Sequence, residues 1–230
     1  MNEFILHSAT IGVVISLIAY QIGVFLKKKT KLALFNPLLV SIILVIAFLV
    51  IFDIDYTSYN ASAKYLSYLL TPATVSLAIP LYEKLDLLKK NIVAVIIGIL
   101  AGVITSLCTI LALSALFQLS HEGYVTLLPK SITTAIGMDV STELGGYTSI
   151  TATAIIITGI LGNVIGEGVC KLFRIKHPIS RGLALGTSSH AIGTTKAMEL
   201  GEVEGAMSSL SIVVAGLMTV ILASVFAQFY

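Results

Sequence analysis

Two polar phrases interrupt an otherwise apolar chain, and both carry groups able to do chemistry. The first, "LPKSITTAIGMDVSTELGG", places Lys130, Ser131, Thr133 and Thr134 ahead of Gly137, then Asp139 and Glu143. The second, "GTSSHAIGTTKAMELGEVEG", places Ser188, Ser189 and His190 ahead of Gly193, then Thr194, Lys196 and Glu199. Ala-Ile-Gly and Glu-Leu-Gly recur at one offset of 56 positions, from Ala135 to Ala191 and from Glu143 to Glu199. Hydroxyls and amides at the start of a half-helix form an anion cradle, and Lys130 or Lys196 would add positive charge. His190 can hydrogen-bond a ligand oxygen or carry a coupled proton, because histidine titrates near neutral pH. Asp139 and Glu143 stand four apart on one helix face, where like charges repel unless one binds a proton, a cation or Lys130. With His190 and Glu199 they are the candidates for ion or proton coupling. Each has a plainer reading: Asp139 and Glu143 face external water, Lys196 pairs with Glu199, and His190 is a satisfied core residue.

A third place is "LLTPATVSLAIP". Pro72 removes a backbone donor and opens a break. Thr71 then stands as N-cap with Pro72 at the first helical position, or the segment is an ordinary proline kink. Gly98-x-x-x-Gly102 and Gly162-x-x-x-Gly166 permit close helix contact, within the chain or at a dimer face. Glu167 and Lys171 are spaced to pair, and Asn163 is a minor polar candidate. Cys108 and Cys170 lie in apolar segments with no partner at ligand spacing, so neither a metal site nor a cofactor is expected.

The elements that must position these groups follow from composition. Hydrophobic residues make up 57% of the 230 and charged residues 11%, against about 25% charged in a soluble domain. That excludes a soluble globular protein. A net charge of +2 without a basic stripe argues against nucleic acid. Spans of roughly 20 apolar residues are expected at Phe4–Leu26, Phe35–Phe52, Tyr65–Tyr82, Asn91–Phe117, Tyr147–Cys170 and Gly205–Phe229. The first follows Glu3 and precedes Lys27-Lys28-Lys29, the reverse of a signal peptide. Lys27–Lys31, Lys84–Lys90 and Lys171–Arg181 mark inside loops, and the acidic Asp53–Asn60 an outside one. Tyr56, Tyr59, Tyr65 and Tyr68 fit an aromatic belt at the outer boundary.

With those loops inside, 124–146 must begin and end outside, and 182–204 must begin and end inside. The expectation is an all-α polytopic membrane protein, with about six spanning helices and two re-entrant or broken segments related by an inverted-type repeat. It forms one membrane domain over 1–230, with N-terminal scaffold helices in 1–60, the core in 61–230, and both termini outside. The competing topology makes both phrases short full crossings and places Lys171–Arg181 outside.

"LLTPATVSLAIPLY", "LLPKSITTAIGMDVSTELGG" and "LGTSSHAIGTTKAMELGEVEGAMSSL" resemble the signature regions of the CidB/LrgB family of antiholin-like bacterial membrane proteins. The C-terminal part of the plastid glycolate/glycerate translocator is similar. The resemblance covers roughly Asn36 to the C-terminus, and the "PKS…GG" and "SSHAIGT" forms look closer to the CidB side. It implies a bacterial cytoplasmic membrane, a small CidA/LrgA-like membrane partner, and one of two roles. One is regulation of murein hydrolases and cell lysis. The other is movement of small carboxylates such as pyruvate, glycolate or glycerate.

The residues favour the second role, since hydroxyls, a lysine and a histidine in two dipping segments suit a small organic anion. The expected function is a secondary monocarboxylate transporter working by alternating access, as a homodimer. Its binding residues would be Thr71, Lys130, Ser131, Thr133, Thr134, Ser188, Ser189, His190, Thr194 and Lys196. An intramembrane enzyme built on Ser189 and His190 is disfavoured, because adjacent helical residues point about 100° apart and no third group at suitable spacing completes a catalytic set.

Overall fold

The computed structural model describes residues 10–30 and 35–230, and every regular element among them is helical. The expectations resting on Glu3, on the first residues of the span Phe4–Leu26 and on Lys31 lie outside the described residues. The chain divides into two compact units, the first ending at Ser76 and the second covering Leu77–Tyr230.

The first unit holds α1 (Ile11–Thr30), α2 (Pro37–Ile51), α3 (Tyr56–Ala63), a 3-10 stretch (Lys64–Leu69) and α4 (Leu70–Ser76). Asn36 caps α2 by accepting from the Leu38 and Leu39 amides, with Pro37 at the first helical position, where its missing N–H costs nothing. α1 meets its neighbours through glycine: a Cβ on Gly12 would lie 2.6 Å from the Tyr59 carbonyl oxygen.

The second unit holds α5 (Ala78–Glu83), α6 (Leu85–Phe117), α7 (His121–Leu127), α8 (Thr134–Glu143), α9 (Thr148–Leu172), α10 (Pro178–Leu200) and α11 (Glu202–Phe226), closed by a 3-10 turn (Ala227–Phe229). Among the described residues four helices are long and apolar enough to cross a membrane: α1, α6, α9, and α11 with its terminal turn. They correspond to the first, fourth, fifth and last expected spans. Their exposed faces carry apolar side chains at helical spacing, such as Ile157, Leu161 and Ile165, or Val213, Leu217 and Ile221. Such stripes suit lipid and not water.

The other two expected spans are not among these four. α2 is apolar but has 15 residues, about 22 Å at 1.5 Å per residue. Tyr65–Tyr82 is no continuous helix; it is divided among the 3-10 stretch, α4 and α5. Pro72 and Pro80 each withdraw a backbone donor from it. Helical turns already run from Lys64, so Thr71 lies inside α4 and caps nothing.

α6 packs its buried face (Val95, Ile99, Val103, Leu107, Ile110) into a core shared with Tyr124, Val125, Leu128 and Met207. The Tyr124 hydroxyl donates to the Phe226 carbonyl at 2.8 Å, which satisfies its polar end in the core. α10 sits among three other helices and is reached by glycine contacts on each side. A Cβ on Gly102 of α6 would meet the Thr187 methyl at 2.8 Å, and one on Gly162 of α9 would fall on the Ser189 hydroxyl. Gly186 of α10 lies against the Ser208 backbone of α11. Both glycine pairs noted in the sequence therefore make contacts within this chain.

The two repeated phrases share one backbone device. Between α7 and α8 the chain leaves the helix over Leu128–Thr133. In α10 it leaves helical geometry at Ser189 (φ −136°, ψ 16°) and His190 (φ 42°, ψ −138°). A Cβ on Gly137 would lie 3.3 Å from the Pro129 carbonyl oxygen, and one on Gly193 2.6 Å from the Leu185 carbonyl oxygen. Each glycine thus touches the residue eight positions back, and Pro129 and Leu185 are themselves 56 apart. A straight helix would separate such residues by about 12 Å, so the chain bends sharply at both places.

Candidate functional site

The bends bring polar groups to a shared cavity in the second unit. It has a volume of about 760 Å³ and lies between α6, the turn at Lys130-Ser131, and the first half of α10 from His177 to Ser188. On α6 the wall is formed by Asn91, Ala94, Gly98, Gly102, Thr105, Ser106 and Thr109. Their three- and four-residue steps make one helix face of small and hydroxyl side chains. From Asn91 to Thr109 this face extends about 27 Å, close to the ~30 Å hydrocarbon thickness of a bilayer. Among the described residues no Asp or Glu lines the cavity.

Lys130 carries the charge among its described lining residues. Its ammonium donates to the Ser131 hydroxyl at 3.0 Å and to the Ser106 hydroxyl at 3.5 Å, and those two hydroxyls lie 3.3 Å apart. No carboxylate stands within ion-pair distance of Lys130 among the described residues. An ammonium half-buried in an apolar protein and paired only with neutral hydroxyls is incompletely compensated. On the facing element, Ser188 donates to the Ala184 carbonyl at 2.7 Å and lies 3.0 Å from the Ser189 hydroxyl.

Other residues named from the sequence are placed elsewhere. Thr133 and Thr134 start α8 but do not line the cavity, and Thr133 makes no capping bond with its side chain. The buried Ser189 packs against Gly162. The His190 ring donates from Nε2 to the Ile155 carbonyl at 3.0 Å and packs on Gly159, so it faces α9 and not the cavity. Thr194 is fully buried, donating to the His190 carbonyl and sharing a 2.7 Å hydrogen bond with Ser208.

Lys196 is held by Glu167 at 2.9 Å and Glu199 at 3.3 Å, with Lys171 on the same Glu167 at 2.7 Å. The paired reading of Lys196 is the one the geometry shows, and it removes this ammonium from the cavity. Asn163 donates to the Ile192 carbonyl and the Thr195 hydroxyl, both at 2.8 Å, and so ties α9 to the second half of α10. Asp139 and Glu143 are exposed. Thr71 is exposed and belongs to the first unit.

Away from the cavity, ion pairs fix the start of α11. Arg181 lies 3.8 Å from the buried Glu204, and Lys84 donates to Glu202 at 2.8 Å. The hydrogen bond it donates to Glu202 holds the Lys84 ammonium above its ordinary pKa.

Sequence reasoning missed Ser106 and Thr187. Ser106 sits within the longest apolar run, and Thr187 was passed over for the Ser-Ser-His that follows it. The signal was present in α6 as polar or small residues repeating along one face from Asn91 to Thr109.

The model of the LrgB-like family matches residues 16–229, which spans both units. The chain belongs to the LrgB-like family. It is 43% identical over 218 residues to the antiholin-like protein LrgB of Bacillus subtilis (strain 168), covering 94% of each chain. It is 40% identical over 219 residues to the proteins of that name from Bacillus cereus (strain B4264) and Bacillus anthracis (strain CDC 684 / NRRL 3495), covering 95% of each chain. These relatives stand on the LrgB side of the family, where the sequence pattern pointed to the CidB side. No solved structure matches the chain. Membership in the LrgB-like family and four apolar helices make this a membrane protein.

Proposed function

We propose that this LrgB-like protein binds a small organic anion of the monocarboxylate class in the Lys130 cavity and carries it across the bacterial cytoplasmic membrane by alternating access. The observation that carries this reading is Lys130 itself. Among the described residues its ammonium has only hydroxyl partners and stands at the wall of a cavity whose lining holds no acidic residue. A carboxylate would supply the missing counter-charge through charge-assisted hydrogen bonds. The recurring bend supports a topology in which 124–146 and 182–204 dip into the membrane from opposite faces, with both termini outside. Irregular backbone at membrane depth is tolerated where it lines such a cavity.

A second reading rests on the relatives, which are named antiholin-like at 40–43% identity over nearly the whole chain. Under it the protein restrains murein hydrolase activity and cell lysis together with a CidA/LrgA-type partner. The relatives' names favour this role, and the cavity favours transport.

Reconstitution into proteoliposomes, with and without such a partner, separates the two. Transport predicts counterflow of pyruvate or glycolate that is lost in Lys130→Ala. Absence of counterflow in both preparations, with autolysis still altered by the protein in cells, would leave the antiholin role alone.

A further inference from the structure

Thr187 is a second polar anchor in the same cavity. It lines the wall, is 7% exposed, and its hydroxyl has no hydrogen-bond partner among the described residues. Buried hydroxyls are ordinarily satisfied, and a threonine in a helix usually donates to the carbonyl one turn back. Ser188, its neighbour, does so at 2.7 Å. The Thr187 methyl is directed at α6, where only the missing side chain of Gly102 makes room for it. Ser106 follows Gly102 by one helical turn, which sets Thr187 about 6 Å along α6 from the Lys130–Ser131–Ser106 cluster. The repeat relates the two places as well, since Ser131 and Thr187 occupy equivalent positions 56 residues apart. The first copy puts a lysine beside its hydroxyl, whereas the second puts Gly186. The cavity therefore offers a charged end and, one turn away, an uncharged end with a spare hydroxyl.

Resting on the transport reading above, we propose that Thr187 is a specificity-determining residue. It hydrogen-bonds a second oxygen, a hydroxyl or keto group on the carbon next to the carboxylate, while Lys130 and Ser131 hold the carboxylate itself. The Thr187 hydroxyl is covered in this state, so it engages the ligand when χ1 turns or when α6 and α10 part. The site thereby discriminates an acid that bears this oxygen from the plain acid of the same length.

The test uses glycolate and acetate, which differ by that one oxygen, as competitors of labelled pyruvate counterflow in proteoliposomes. The same two acids are also scored by thermal shift of the full chain in detergent, which reads binding without transport. The wild-type protein is expected to prefer glycolate by about tenfold, the size of one well-made hydrogen bond. Thr187→Val keeps the shape, removes the hydroxyl and brings the ratio to near one, while Thr187→Ser restores it. A Thr187→Val protein with the wild-type ratio in either assay would overturn the assignment while leaving transport standing. A folded wild-type protein that responds to none of the acids would overturn transport, and this assignment with it.

Discussion

The two copies of the repeated phrase use the same bend for different ends. In both, a glycine one turn into the following half-helix presses on a carbonyl eight residues back. In the first copy the bend is an open turn that delivers Lys130 and Ser131 to the cavity. In the second it is compressed into Ser189 and His190, and the imidazole is anchored to the Ile155 carbonyl of α9. His190 adopts a backbone conformation that a residue with a Cβ rarely takes, which stores strain. One copy thus presents a charge, and the other holds a tight joint between the halves of α10. Repetition of sequence conserved the backbone path, and the differing side chains divided the work.

Substitution of the paired glycines should break this comparison most visibly. Gly193→Ala puts a methyl against the Leu185 carbonyl and the Ser189 side chain, both at 2.6 Å. It should cost about 2–3 kcal/mol, as overpacking of a rigid site does. Gly137→Ala meets mainly the flexible end of Ile155 and should cost about 1 kcal/mol or less. Thermal unfolding in detergent reads the difference, and equal losses would mean the second bend is no tighter than the first.

The lysines sharpen it next. Lys130→Ala should lower pyruvate counterflow by more than about tenfold, because the anion loses its charged partner. Lys196→Ala removes the ion pairs to Glu167 and Glu199, outside the cavity, and should leave counterflow within about twofold, with a stability loss of about 1 kcal/mol. The reverse order would move the anion site to the second copy.

The smallest effect concerns His190. His190→Gly and His190→Ala both lose the bond to Ile155, but only glycine relieves the positive φ. The glycine variant should be more stable by about 1 kcal/mol, and an alanine variant at least as stable would show that the joint is not strained.

Much of the second unit could be read from residue order. α6, α9 and α11 follow from apolar runs long enough to span a bilayer. The breaks follow from glycine, proline and hydroxyl residues packed into those phrases. Lys196 with Glu199, and Glu167 with Lys171, pair as their helical spacing suggests. The link from Lys196 to Glu167 joins α9 to α10 and has no local signature. In Tyr65–Tyr82 the break at Pro72 was legible, but not that the segment divides into a 3-10 stretch and two short helices, because mean hydropathy does not register how two prolines divide a helix.

The sequence by itself determined that the chain is helical and apolar, that one polar phrase occurs twice, and that family membership extends over nearly its whole length. These are properties of local periodicity and of residue identity. Tertiary structure decided which ammonium faces a cavity and which is fully neutralised, since the α6 wall beside Lys130 and the Glu167 carboxylate that joins Glu199 on Lys196 come from other helices. It also decided that Ser106 and Thr187 belong with Lys130. Bare glycine faces let α6 and α10 approach closely, and close approach between segments far apart in the chain is settled only by packing.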